Sequence, residues 1–312
     1  MKRLTALLLA FALLFSLAAC SGDVAESNNT NSTENSNDPS SSKNESTGSS
    51  QATNQGNNDN SISFAEVIAI DNDECTIKIT DIDPDNLWGY TLKVQLENKS
   101  AETTYMYSIE CASINGVQCD PLFAAEVAAG KKSNGEIHFS DSTLEDNGVG
   151  DYTDIEMTFR VYDSSNWLSD PVARETVHIY PYGEDKASTF VREAKATDNV
   201  IIENDYVSAI VTGYRDDPIW GYTVILFLLN KTDKDVMFSV DDASVNGFMA
   251  DPFFATTVSS GKCAFCSISW SDSTLEANGI TTVEEIEFKM RAYDSNNWFG
   301  DDFASEIITL NP

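Results

Sequence analysis

Two long stretches of this chain are copies of one another, and that constrains its fold more than any other feature. Trp88-Gly89-Tyr90-Thr91 returns as Trp220-Gly221-Tyr222-Thr223, and Asn98-Lys99 returns as Asn230-Lys231, both 132 positions later. After a one-residue gap, Asn115-Gly116 matches Asn246-Gly247 and Asp120-Pro121 matches Asp251-Pro252. Ser140 to Glu145 returns as Ser271 to Glu276, while Tyr162-Asp163-Ser164 and Asn166-Trp167 return as Tyr293-Asp294-Ser295 and Asn297-Trp298. Such a period is too long for a solenoid, whose repeats run about 20–50 residues. Each copy is instead the size of a domain. The expectation is a tandem duplication, with domains over 61–181 and 190–312 and a connector at 182–189.

Within each copy the hydrophobic pattern is that of strands. Tyr90, Leu92, Val94 and Leu96 share one face, as do Ile155, Met157, Phe159 and Val161. Asn115-Gly116 and Asn246-Gly247 are hairpin signals, because both turn positions need φ > 0. Val224 to Leu229 in the second copy is apolar throughout, the composition of a central strand covered on both faces. Ser142-x-x-Glu145 and Ser273-x-x-Glu276 fit capping boxes of a short helical turn, and Gly148 and Gly279 would stop it. Seven or eight strands in roughly 120 residues, punctuated by turns, are most economically packed as two sheets. The fold class expected is all-β, two tandem β-sandwiches.

The N-terminus and the charge place the chain. Lys2 and Arg3 precede an apolar run, Leu4 to Phe15, and small residues follow, the order of a secretory signal over residues 1–19. Leu17-Ala18-Ala19-Cys20 resembles the lipobox of bacterial lipoproteins. That resemblance implies cleavage before Cys20 and a diacylglycerol on its thiol, hence an extracytoplasmic protein anchored to the cell membrane. Residues 20–60 are dominated by Ser, Asn, Thr and Gly and bury too little apolar surface to fold, so a disordered tether is expected. The formal net charge is −31. Acidic residues outnumber basic ones 22 to 7 over 61–181 and 20 to 8 over 190–312. A surface of that sign repels phosphate polymers, which argues against nucleic acid and leaves cations and basic proteins as allowed partners.

The order of a Tyr-Thr strand, an Asn-Lys turn, an Asn-Gly hairpin, Asp-Pro and a terminal Tyr-Asp-Ser strand resembles a family of immunoglobulin-like domains of unknown function. They occur in exported lipoproteins of Gram-positive bacteria. The resemblance covers about 64–181 and 196–312. It implies an immunoglobulin-like sandwich for each copy and brings no catalytic residues with it.

Sites for chemistry are few. His138 and His178 are the only histidines, both are placed outward by the strand pattern, and Ser269 and Thr309 replace them in the second copy. No phosphate loop or dinucleotide fingerprint occurs, so no cofactor is expected and no catalytic residue is assigned. Cys111 and Cys119 flank the first Asn-Gly hairpin. A three-residue loop would set them opposite each other for a disulfide, whereas a two-residue loop would point them to opposite faces. Cys263-Ala264-Phe265-Cys266 has redox-motif spacing without a helix to open. The strand pattern puts Cys266 inward and Cys263 outward. Asp81-Ile82-Asp83-Pro84-Asp85 alternates carboxylates like a calcium loop, but Asn86 and Leu92 stand where that loop wants Gly and Glu. No metal ligands are assigned. The connections Asp163, Asn166, Trp167 and Asp294, Asn297, Trp298 are the candidate ligand-binding residues, since an indole can stack on a sugar ring while Asp and Asn bond its hydroxyls. The alternative is that each Trp closes one end of its sandwich, and Trp88 and Trp220 are expected in the core. The function expected is non-enzymatic: a lipid-anchored envelope module binding another protein, with a glycan receptor or a calcium-stabilised spacer as alternatives.

Overall fold

Regular alternation turns into strands throughout. The computed structural model describes residues 62–139 and 142–312, so the signal, Cys20, the tether and Ser140-Asp141 lie outside the described residues. The first half contributes β1 (Val67–Asp71), β2 (Cys75–Asp83), β3 (Tyr90–Asn98), β4 (Tyr105–Ile114), β5 (Val117–Cys119), β6 (Ala124–Val127), β7 (Lys132–Phe139), β8 (Ile155–Asp163) and β9 (Ala173–Ile179). The second contributes β10 (Asn199–Glu203), β11 (Val207–Asp217), β12 (Gly221–Asn230), β13 (Val236–Val245), β14 (Phe248–Met249), β15 (Ala255–Val258), β16 (Cys263–Trp270), β17 (Ile286–Asp294) and β18 (Ala304–Leu310). Short helices α1 (Ser142–Asp146) and α2 (Asp272–Ala277) precede β8 and β17.

Each half is a two-sheet sandwich. In the first, the order β1-β2-β3-β7 faces β5-β4-β8-β9, with β6 also on β4. In the second, β10-β11-β12-β16 faces β14-β13-β17-β18, with β15 on β13. Inward residues of both sheets meet in one core per half: Ile77, Leu92, Leu96, Ile137 and Phe159 in the first, Val224, Leu226, Phe238, Ile268, Trp270 and Phe288 in the second. The repeated motifs prove to be structural fixtures. Thr91 and Thr223 are buried and donate to the carbonyls of Gly89 (2.9 Å) and Gly221 (3.0 Å). Gly221 has φ 75°, and a Cβ there would lie 2.3 Å from the Trp270 carbonyl oxygen, so no other residue fits. The helices end as expected, in Schellman-type bonds: Val149 and Ile280 donate to Leu144 and Leu275 after Gly148 and Gly279 at positive φ. The cap of α2 differs from the expectation. Ser271, not Ser273, holds the N-cap position and its hydroxyl accepts from the Thr274 amide, so Glu276 falls too late to close a capping box.

The two halves share a sheet. The hairpin carrying β5 reaches the start of β16, where Val117 and Cys263 pair in parallel and the Cys263 amide donates to the Gly116 carbonyl at 3.1 Å. Gln118 clamps the neighbouring backbone, donating to Thr257 O at 2.7 Å and accepting from Ser259 N at 3.0 Å. Lys262 pairs with Glu156 of the first half. This contact explains the apolar run of β12. Val224, Leu226 and Leu228 face the second core. Phe227 and Leu229, with Ile210 and Phe265 from the adjacent strands, instead pack against the first core's side. Phe190 from the connection joins them at 5.9 Å from Phe265, and Arg192 lies over the Phe227 ring at 5.5 Å. In the first half the equivalent outward positions are Lys78, Gln95, Glu97 and Asn134, none of them apolar.

Candidate functional site

Turn chemistry builds the two connections singled out by sequence. After β8, the Asp163 carboxylate accepts from the Ser165 amide (2.9 Å) and hydroxyl (2.7 Å), an Asx turn that aims the chain outward. The Asn166 amide donates to Asp163 O and the Asn166 carbonyl accepts from Ser169 N, both at 3.0 Å. Asp294 repeats the turn with Asn296 N at 2.9 Å and takes the Lys234 ammonium at 2.8 Å on its second oxygen. The Asn297 carbonyl accepts from Gly300 N at 3.0 Å. Hydrogen bonds to these donors hold both Asp carboxyls below the usual carboxylate range: Ser165 for Asp163, Lys234 foremost for Asp294.

These turns carry the indoles into solvent. Trp167 and Trp298 are 67% and 71% exposed, and the next residues, Leu168 and Phe299, are 75% and 102% exposed. Neither Trp closes its sandwich. The Trp298 indole N–H is already spent on Ser295 O at 2.8 Å. The Asp side chains are thus turn-builders, and what each connection offers outward is chiefly an apolar pair.

Trp88 and Trp220 are not in the core either. They stand at the β2–β3 and β11–β12 connections, 66% and 54% exposed, each beside another exposed apolar residue, Leu87 or Ile219. They enter their strands through Gly89 and Gly221, whose positive φ turns the chain so that Tyr90 and Tyr222, not the indoles, begin the sheet. Leu122 and Phe253 are a third exposed pair of equivalents, and Phe253 meets the Trp220 ring at 6.3 Å. The sequence signal for this set was available: large apolar residues recur at the same connections of both copies, beside glycines and turn formers.

The expected Cys111–Cys119 disulfide does not form. Asn115 and Gly116 both have positive φ (52° and 82°), which makes the loop two residues long, with Ile114 opposite Val117. That register sets Cys119 against Ala112, while Cys111, a free thiol, lies against Thr158 of β8. In the Cys263-x-x-Cys266 segment the strand pattern holds, but Cys263, although outward, is buried because the first half covers it. Burial pushes the Cys263 thiol up to about 11 and Cys266 up to about 12, the reverse of an activated redox pair. The acidic segment at 81–85 does not form a calcium loop, since Asp81 and Asp83 are within β2 and Asp81 is ion-paired with Lys93 at 2.9 Å. Among the described residues no group of three or more His, Cys, Asp or Glu is placed to hold a metal ion. His138 meets the Thr91 hydroxyl at 2.9 Å, and His178 meets Asp154 at 2.8 Å.

No family model and no curated protein matches the chain. Among solved structures, a YadV chaperone is matched at 12% identity and a TM-score of 0.23, over 70% of this chain and 92% of that one. The exo-chitosanase CsxA of Amycolatopsis orientalis is matched at 13% identity and a TM-score of 0.21, over 74% of this chain and 26% of that one. Likeness at this level carries no argument about function, which has to be read from this chain's own surface.

Proposed function

We propose that this protein is a non-enzymatic binding module of the cell envelope, held to the membrane through a lipidated Cys20, whose two sandwiches contact another protein. One observation carries the reading: exposed large apolar side chains recur at equivalent connections of both halves, Trp167-Leu168 with Trp298-Phe299 and Leu87-Trp88 with Ile219-Trp220. Exposed apolar groups contribute nothing to the cores, and Trp and Phe are the residues that protein contacts favour. Two linked modules also gain effective concentration when both engage one partner.

The glycan reading is weaker at these connections. Of the polar groups a sugar would need, one Asp163 oxygen, both Asp294 oxygens and the Trp298 N–H are already engaged within their own turns or, at Asp294, with Lys234. The test is crosslinking on living cells from the full, lipidated chain, comparing wild type with Trp167→Ser/Trp298→Ser. A discrete protein adduct that the double variant loses, at unchanged thermal stability, supports the reading. Recovery of glycan alone, or an adduct indifferent to both substitutions, contradicts it.

A further inference from the structure

The first half holds a cleft of about 720 Å³ at the end of its sandwich opposite Trp167, between the β2–β3 connection and the segment following α1. Its walls include Trp88, Tyr90, Tyr152 and Tyr182, with Glu145 and Asp151, and among the described residues no Lys, Arg or His. Tyr90 and Tyr152 pack ring against ring at 4.7 Å. The Tyr90 hydroxyl is buried and has no hydrogen-bond partner. A cleft recurs at the equivalent place in the second half, about 590 Å³, lined by Tyr222 and three carboxylates, Asp216, Asp272 and Glu276, again without a basic residue. There Val283 stands where the first half has Tyr152, so the aromatic wall is poorer.

We propose that the first cleft is a binding site for an organic ammonium ion. The absence of any basic lining residue disfavours phosphate, sulfate and carboxylate ligands. Aromatic faces attract a cation through their quadrupole, and the attraction grows when the cation is partly desolvated. Glu145 supplies an exposed carboxylate that no other described group engages, able to accept an ammonium N–H. The chain's charge of −31 concentrates cations around it. The cleft shares Leu87 and Trp88 with one of the apolar connections proposed above to meet a protein, but lies at the other end of the sandwich from Trp167, whose substitution tests that reading separately.

Calorimetric titration of the full chain with cyclohexylammonium, and with cyclohexanol as its neutral counterpart, tests the proposal. Cyclohexylammonium should saturate a site that Trp88→Ala and Glu145→Gln each weaken at least tenfold, and cyclohexanol should bind at least tenfold more weakly. Both substituted residues are exposed, and unchanged melting of each variant will confirm that folding is intact. N-acetyl-lysine methylamide separates the two sources of such a cation. Tighter binding than cyclohexylammonium assigns it to a partner's side chain, and the reverse order to a free amine. Equal binding of cyclohexanol, or full binding by either variant, overturns the proposal.

Discussion

Asn98 and Asn230 show how a repeated residue acts as a staple. Each is 1% exposed and spends its amide on backbone carbonyls of two separate connections: Thr103 and Val127 for Asn98 (2.9 and 2.8 Å), Lys234 and Val258 for Asn230 (2.7 and 2.9 Å). Replacement by Ala strands those carbonyls, so Asn98→Ala and Asn230→Ala should each cost about 2–3 kcal/mol in urea unfolding. A loss below about 0.5 kcal/mol would mean that the carbonyls find water instead. The Arg192–Asp198 pair makes a prediction of a different kind. The Arg192 guanidinium, bonded twice at 2.7 Å, and the Lys195 amide hold the Asp198 carboxyl at about 2. An unfolded Asp titrates near 3.9, so the folded value is depressed. Its stabilisation is therefore complete above about pH 4 and lost as pH falls through about 2. Asp198→Asn should lower the urea midpoint at pH 6 and leave it nearly unchanged at pH 2, whereas a gap that persists at pH 2 would assign the effect to packing.

At the level of elements, alternation and the Asn-Gly signals were enough to place strands and hairpins, because both follow from local sterics. Loop length was less legible, since Asn-Gly serves two- and three-residue loops alike, and only the positive φ of both Asn115 and Gly116 decides the register. With Cys119 set against Ala112, Cys111→Ser should leave the melting temperature unchanged under oxidising conditions. A bond closing that loop would have contributed about 2–3 kcal/mol, and its loss would be plain. The helix cap is ambiguous for a similar reason: Ser271 and Ser273 stand two residues apart at its start, and the frame is set by where β16 ends at Trp270, which makes Ser271 the cap and puts Ser273 inside α2.

Across the whole molecule, the sequence held a signal that only the structure makes readable. The outward face of β11, β12 and β16 is Ile210, Phe227, Leu229 and Phe265, where the first half has Lys78, Gln95, Glu97 and Asn134. Two copies of one fold differ this way only if one is covered, and the cover is the first half's hairpin side together with Phe190 and Arg192. Phe227→Ala should thus cost about 3–4 kcal/mol, against about 0.5 kcal/mol or less for Gln95→Ala at the matching site. Comparable losses would deny that the second sheet is buried by the first half. Trp88 and Trp220 depart from expectation in the opposite sense: a large aromatic entering a strand is ordinarily core, and here Gly89 and Gly221 turn it outward, whereas Trp167 and Trp298 stand exposed on connections. The exposed pairs Trp167-Leu168 and Trp298-Phe299 serve contact and not stability. The most direct test is the unfolding free energy of the variant Trp167→Ser/Leu168→Ser/Trp298→Ser/Phe299→Ser. A loss below about 1 kcal/mol is predicted, as for surface positions. A loss of about 3 kcal/mol or more, the scale of core truncations, would show that these residues close the sandwiches and would contradict the account.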